Sequence, residues 1–398
     1  MNGIKFFPKD LQIANKRIVL RVDLNVPLQD GKILDHTRIL LIIPFLKELI
    51  KRKSKIILIS HLGRPKGERE RRLSLNPIFE YLKTKIETKI FFYTGNINEE
   101  VKVKSLNLKE GEILLLENIR FFKEETENDE KFSKQLSELG EIYINDAFSC
   151  SHRKQSSIHK ITNFFKNSYG GPLLKKEIDA VNLVIKEKKP PVTCIIGGSK
   201  ISTKINVISN LIKNVNNIVI VGAMANNFLA HKGYEVGKSL IEKNSEGIIK
   251  KIYAEAKRSD CKIIIPEDCK ISKSFDGKPQ IKEKDKISNE EIILDIGPKT
   301  IELIKKIIDK SKTVLWNGPA GYFENKDFSV GTNLIAKKIS ENTNNNSLIS
   351  ILGGGDTIAA LNKSELKLSF THLSTAGGAF LEYLEGKELP GIKVLRKN

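Results

Sequence analysis

The chain has 398 residues, 40% hydrophobic and 29% charged, which fits a globular protein of two to three domains and excludes a disordered one. Sixty-seven Lys and Arg against 48 Asp and Glu leave a formal charge of +19. The lysines are scattered and no nucleic-acid motif accompanies them, so no nucleic-acid partner is expected. Cys150, Cys194, Cys261 and Cys269 form no C-x-x-C pair and read as reduced thiols of a cytoplasmic protein. The first residues carry no signal-peptide pattern, and no apolar run reaches the ~18–20 residues of a membrane span.

In chain order, β-rich apolar runs are predicted at 17–23, 55–60, 112–116, 142–145, 192–196, 217–221, 262–265, 313–316 and 347–352. Helical patterns intervene at 37–52, 129–139, 173–188, 202–213, 244–258 and 300–310. Runs without clean alternation, separated by helices, predict parallel sheets covered on both faces. The fold class is therefore α/β, with two doubly wound sheets and a boundary at 167–191, where Lys189-Pro190-Pro191 stops a helix. The biased segment ENTNNNS (341–347) is predicted to be a loop.

Charge chemistry differs between the halves. Arginine occurs at 17, 21, 38, 52, 64, 69, 71, 72, 120 and 153, then only at 258 and 396. In a lysine-rich chain an arginine points to a need for its bidentate fork, which fits carboxylate and phosphate. The second half instead carries Gly197-Gly198, Gly353-Gly354-Gly355 and Gly377-Gly378, where backbone amides can approach phosphate.

The candidate residues fall at strand exits. Asp23 and Asn25 follow the first strand and face a hydroxy acid or form an Asx turn. Arg38 opens a helix, where its charge opposes the dipole and calls for an anion. His61 and Arg64 follow the second strand, Arg120 the next, and His152-Arg153 the one after. Arg69, Arg71 and Arg72 share a loop with Glu68 and Glu70 and are assigned to solvent. In the second half, Gly197-Gly198-Ser199-Lys200 is expected to open a helix carrying Lys204, as a phosphate loop. GYEVGKS (233–239) is one residue short of a Walker A spacing and follows no strand. Trp316-Asn317-Gly318 precedes Glu324, and Asp356, after three glycines, can cap a helix or hold Mg²⁺. Cys150 beside His152 is no evidence of a nucleophilic dyad.

Taken together, RVDLNVP (21–27), DHTRI (35–39), SHLGRP (60–65), LLLENIRF (114–121), YINDAFSCSHR (143–153), GGSKISTKI (197–205), VGAMANNFL (221–229), DIGPKT (295–300), VLWNGPAGYFE (314–324), GGGDT (353–357) and STAGGAFLEYLEGKELPG (374–391) resemble the phosphoglycerate kinase family over nearly the whole chain. The resemblance implies reversible phosphoryl transfer between 1,3-bisphosphoglycerate and ADP, giving 3-phosphoglycerate and MgATP in glycolysis. It implies two Rossmann-like domains joined by a helix and hinge. Residues 1–170 would bind phosphoglycerate, 171–190 would link, 191–384 would bind nucleotide, and a tail of about 385–398 would return to the first domain. A monomer is implied by family habit.

Carried over residue by residue, Asp23, Asn25, Arg38, His61, Arg64, Arg120 and Arg153 would bind the acid. Arg38, Lys200, Gly354 and Gly377 would act on the reacting group. Lys204, Gly222, Asn317, Glu324, Gly353, Gly354, Gly355, Asp356 and Thr357 would bind nucleotide, with Gly378 adding an amide and Asp356 holding Mg²⁺. Three departures from the family pattern stand out: Ser149 replaces a glycine, Lys154-Gln155 loses a histidine, and Ala376 replaces a loop glycine. If position 376 required a positive φ, the alanine would be strained by roughly 1 kcal/mol or more.

Overall fold

The computed structural model describes residues 3–396. It divides into two compact units, one running to Ile178 and resuming at Glu388, the other Asp179–Lys387.

In the first unit the strands are β1 (Arg17–Arg21), β2 (Leu28–Gln29), β3 (Lys32–Ile33), β4 (Lys55–Ile59), β5 (Ile90–Tyr93), β6 (Ile113–Leu116), β7 (Ile142–Asn145) and β8 (Ser168–Gly170). Six of them form a parallel sheet in the order β5-β6-β4-β1-β7-β8, and β2 pairs with β3 as a small antiparallel ribbon. RIVLR, KIILI and IYIN are buried on both faces, which is why they read as unbroken apolar runs. The order reverses at β1, whose neighbours are β4 and β7. Register sets Arg21 beside Ile59 and Asn145, so the residues after these three strands emerge level at the switch point where such sheets bind ligands.

The chain's last described segment returns to this unit. Lys5 N donates to Leu395 O at 2.9 Å, and Gly391 N donates to Ser151 O at 2.8 Å.

The second unit contains β9 (Val192–Ile196), β10 (Asn217–Ile220), β11 (Lys262–Ile264), β12 (Asp268–Ser272), β13 (Gln280–Glu283), β14 (Ile292–Ile296), β15 (Thr313–Asn317), β16 (Ile349–Gly353) and β17 (His372–Ser374). Its parallel sheet runs β11-β10-β9-β15-β16-β17. The strand ends Ile196, Asn317, Gly353 and Ser374 lie in register, and the glycine loops leave from that one edge.

The α/β class with two parallel sheets is as the sequence predicts, with corrections. A third, antiparallel sheet, β13-β12-β14, was not foreseen. The helix expected at 202–213 begins only at Ile205, so Lys204 is its N-cap and Lys200 lies in the preceding loop. Residues 341–344 are not loop. They end the helix Val330–Asn344, whose apolar face (Ile335, Ala336, Ile339) continues the packing despite the asparagines. The helix Pro172–Ile185 begins in the first unit and ends in the second.

Candidate active site

At the first switch point, each side chain is set by a neighbouring loop. Ser60 Oγ accepts from Leu24 N and donates to Val22 O, both at 2.9 Å, tying the exits of β1 and β4 together. Asp23 Oδ1 accepts from Asn25 N at 3.0 Å, so the Asx turn is present. The other carboxylate oxygen, Oδ2, pairs with Arg38 Nη1 at 3.0 Å and accepts from the hydroxyl of Ser149. Turn and anion-site readings of Asp23 are thus compatible.

Arg38 also donates to Asn25 O at 2.7 Å. Asn25 Oδ1 accepts from Gly63 N at 2.8 Å, which leaves its amide NH₂ as the group for a ligand.

Arg120 sits in the short helical turn Ile119–Phe121, buried, with Nη1 donating to Gly63 O at 2.8 Å. Its Nε is sealed from solvent without a partner. Burial brings its guanidinium pKa down to about 10. Asn118 aligns this turn: its Nδ2 donates to Leu62 O (2.7 Å) and Leu73 O (2.9 Å), and its Oδ1 accepts from Arg120 N (3.1 Å).

Arg153 is half-buried and donates from Nε to His152 Nε2 at 3.2 Å, while Arg64 is exposed on the loop after β4. His61 is 4% exposed, and its pKa is held well below the ordinary value by burial and then by Arg120, Arg21, Arg38 and Arg153. The ligating atoms of Asp23, His61 and Cys150 lie within 4.8 Å of one another. Four guanidiniums acting on the same place make it a site for an anion rather than a metal cation.

Arg69 is exposed, as expected, and also ties two loops together. It donates to Thr94 O at 2.6 Å and to Gly95 O at 3.2 Å, and lies over the Phe122 ring. Arg21, Asn118 and Ser149 were missed as contributors. Arg21 is legible as an arginine inside an apolar strand, Ser149 stands out only as a departure from the family pattern, and Asn118 gives no local signal.

The second unit's strand edge is built on close backbone approaches. A Cβ on Gly197 would stand 2.2 Å from Pro319 O, and one on Gly318 would stand 2.4 Å from Gly197 O. Lys204 is half-buried; its Nζ donates to Gly197 O and, at 2.6 Å, to Asn317 Oδ1. Burial lowers its pKa to about 8, against the opposing pull of Asp356. Lys200 is exposed, on a loop anchored where Ser202 N donates to Glu242 Oε2 at 3.0 Å.

Gly353 ends β16, buried against Phe380, and Thr357 Oγ1 accepts from Gly318 N at 2.7 Å while donating to Gly353 O at 3.0 Å. These two brace the loops from within. Gly355 and Gly378 have open space where a Cβ would be, and Gly354 (φ 106°) and Gly377 (φ 58°) are helix N-caps in the left-handed region. Asp356 lies exposed in the first turn of the helix Gly355–Lys363, whose N-cap is Gly354. A cavity of about 490 Å³ lies beside these loops, lined by Gly198, Gly222, Leu229, Leu240, Phe275, Pro319, Tyr322, Glu324 and Asp356 among others.

Converging guanidiniums at one switch point, and glycine-opened amides with a half-buried lysine and a carboxylate at the other, define a phosphotransferase acting on a small acid. Residues 8–387 match the family model described as phosphoglycerate kinase. The phosphoglycerate kinase of Wolbachia pipientis wMel is 43% identical over 391 residues, covering 98% of each chain. That of Chelativorans sp. (strain BNC1) is 41% identical over the full length of both. Among solved structures, the Coxiella burnetii phosphoglycerate kinase superposes with a TM-score of 0.89 at 36% identity over 97% of each chain. The Pyrococcus horikoshii OT3 enzyme superposes with a TM-score of 0.81 at 28% identity over 98% of each. The chain belongs to the phosphoglycerate kinase family.

Proposed function

We propose that the chain carries out reversible phosphoryl transfer between 1,3-bisphosphoglycerate and ADP in glycolysis, with the acid held by the first unit and the nucleotide by the second. The observation that carries the acid site is the convergence of Arg38, Arg120 and Arg153 on a neutral His61, with Arg120 Nε buried and unpartnered. Asp23, Asn25, Arg38, His61, Arg64, Arg120 and Arg153 bind the phosphoglycerate. Arg38 reaches the reacting carboxyl group, leaving its pair with Asp23 to do so.

In the second unit, the amides of Gly354, Gly355, Gly377 and Gly378 receive phosphate oxygens, Lys204 meets the nucleotide phosphates, and Lys200 follows the transferred group. Gly222 and Glu324 line the cavity that takes the nucleoside. Asn317, Gly353 and Thr357 act by holding the loops. Magnesium enters with the nucleotide as part of the substrate. A single exposed carboxylate beside phosphate-sized space fits Mg²⁺, which takes one or two carboxylates together with phosphate oxygens. Bound there, the ion would neutralise phosphate charge.

The transfer needs positioning and charge neutralisation more than covalent chemistry. The carboxylate of an acyl phosphate leaves readily, so the chain's residues need only hold the two groups in line and exclude water. A cytoplasmic monomer goes with this reading. No described helix is long and apolar enough to cross a membrane, and the four cysteines are unpaired. The test is a coupled assay with ATP, Mg²⁺ and 3-phosphoglycerate. Turnover supports the reading, and its absence in folded protein overturns it.

A further inference from the structure

Arg21 ends β1 and is fully buried. Its Nε donates to Ser157 Oγ at 3.0 Å, Nη1 donates to Val22 O, and Nη2 lies 3.3 Å from His61 Nδ1. A guanidinium has N–H donors only and does not give up its proton in a protein. The ring nitrogen facing it must therefore present a lone pair.

We propose that Arg21 is a positioning residue of the acid site: by donating Nη2–H to His61 Nδ1 it holds the imidazole neutral with its proton on Nε2. His61 then meets the acid's anionic oxygens as a hydrogen-bond donor and not as a cation. The proposal rests on the reading of His61 as an acid ligand.

The surroundings agree on every side. Burial and the charges of Arg120, Arg21, Arg38 and Arg153 all disfavour an imidazolium. The nearby acid that would favour one, Asp23, is engaged by Arg38, Ser149 and Asn25. Cys150 Sγ lies 3.7 Å from the same Nδ1 and 3.8 Å from Arg21 Nη2, and burial keeps the thiol protonated, so it brings no negative charge. His61 Nε2 has no partner among the described residues and is not among the sealed polar atoms, so it is the nitrogen open to a ligand. The positive charge of the site is then set by guanidiniums and stays constant across the pH range in which a histidine ordinarily titrates. Residual pH dependence of binding belongs to the ligand's phosphate, whose second pKa is about 6.

Long-range ¹H–¹⁵N spectra of the ¹⁵N-histidine-labelled full chain, free of ligand, test this directly, with His61→Gln assigning the signal. The expected result is a neutral ring protonated at Nε2 from about pH 5.5 to 8. An imidazolium near pH 6, or a proton on Nδ1, overturns the proposal. Cys150→Ala should leave the tautomer unchanged; if it moves the proton, the thiol and not Arg21 sets it.

In Arg21→Lys, the KM for 3-phosphoglycerate relative to wild type should rise with pH by about tenfold, the scale of one charged hydrogen bond. The ligand's own titration cancels in that ratio. A ratio constant with pH would mean a merely structural arginine and would overturn the assignment. If His61→Gln leaves 3-phosphoglycerate binding intact, the acid-site reading fails while the tautomer result stands, so the two failures are distinguishable.

Discussion

Lys204 and Lys200 occupy different environments, and their variants should differ accordingly. Lys204 is half-buried, donating to Gly197 O and Asn317 Oδ1, with its pKa lowered to about 8. A bound polyphosphate restores the favoured charge, so ADP binding should take up a proton at about pH 8 to 9, and by linkage affinity should fall across that same range. Calorimetry in buffers of different ionisation enthalpy measures that uptake, which should vanish in Lys204→Met. Lys200 is instead exposed on its loop. Lys200→Ala should lower kcat by roughly 10²-fold with little change in nucleotide affinity, the mark of an interaction made only in the transition state. A raised nucleotide KM at unchanged kcat would reverse the assignment.

Ala376 bears on the same edge. The left-handed φ of 58° falls on Gly377, and position 376 is not among the positive-φ residues. The strain foreseen for the alanine is therefore absent. Its methyl is buried, so Ala376→Gly should change turnover by less than about tenfold, a step of ~1.4 kcal/mol in barrier, and lower the melting temperature slightly. A large gain in rate would contradict that.

At the scale of elements, three helix starts share one device: a buried aspartate accepting backbone N–H groups across a glycine. Asp146 accepts from Leu173 N (2.7 Å) and Leu174 N (3.0 Å), and a Cβ on Gly171 would stand 2.4 Å from its carboxyl. Asp268 accepts from Lys299 N and Thr300 N opposite Gly297. Asp295 accepts from Gly331 N at 2.8 Å, with Gly321 and Gly331 both against it. The carboxyl group cannot retreat from an added methyl, so Gly171→Ala should destabilise by about 1–3 kcal/mol, readable in the denaturant midpoint.

Burial lifts Asp146 and Asp295 to about 7. Between about pH 4 and 7 the native state then keeps protons that the unfolded chain has lost. The contribution, on the order of a few kcal/mol for each carboxyl, is full below about pH 4 and is lost as pH rises to 7. Asp295→Asn should flatten that slope, and an unchanged slope would remove Asp295 as its source.

These devices also mark what could be read in the chain. The parallel strands were legible because burial on both faces leaves unbroken apolar runs such as KIILI. The strands of the antiparallel sheet are not: DCKIS and QIKE are only five and four residues long, carry three polar residues each, and pair as a hairpin across 273–279 with no unbroken apolar run to mark them. The arginines of the acid site stood out against a lysine background, whereas Asn118 and Ser149 act through partners distant in sequence. Helical spacing in the sequence continues back through Ser202, but the chain turns there to meet Glu242 and the helix starts only at Ile205.

At the scale of the whole molecule, the division into two units carries the last prediction. The residues proposed to bind the acid lie before Ile178 and those proposed to bind nucleotide lie after Asp179, and the unit boundary falls inside the helix Pro172–Ile185. In-line transfer requires the acid's carboxylate and the terminal phosphate at roughly 3–3.5 Å. Each ligand alone contacts one unit and brings no contact that rewards their approach. On the proposed assignment, only binding of both substrates would let Arg38 and Lys200 act on one phosphoryl group and exclude water from the acyl phosphate. The ternary complex should therefore be more compact than the free protein or either binary complex, with small-angle scattering reading the change in radius of gyration. Arg38→Ala, which removes a first-unit contact to the shared group, should weaken that compaction while both binary affinities stay measurable. Identical profiles for the free and ternary forms would mean that the units need not move for transfer, and the assignment of the two substrates to separate units would have to be abandoned.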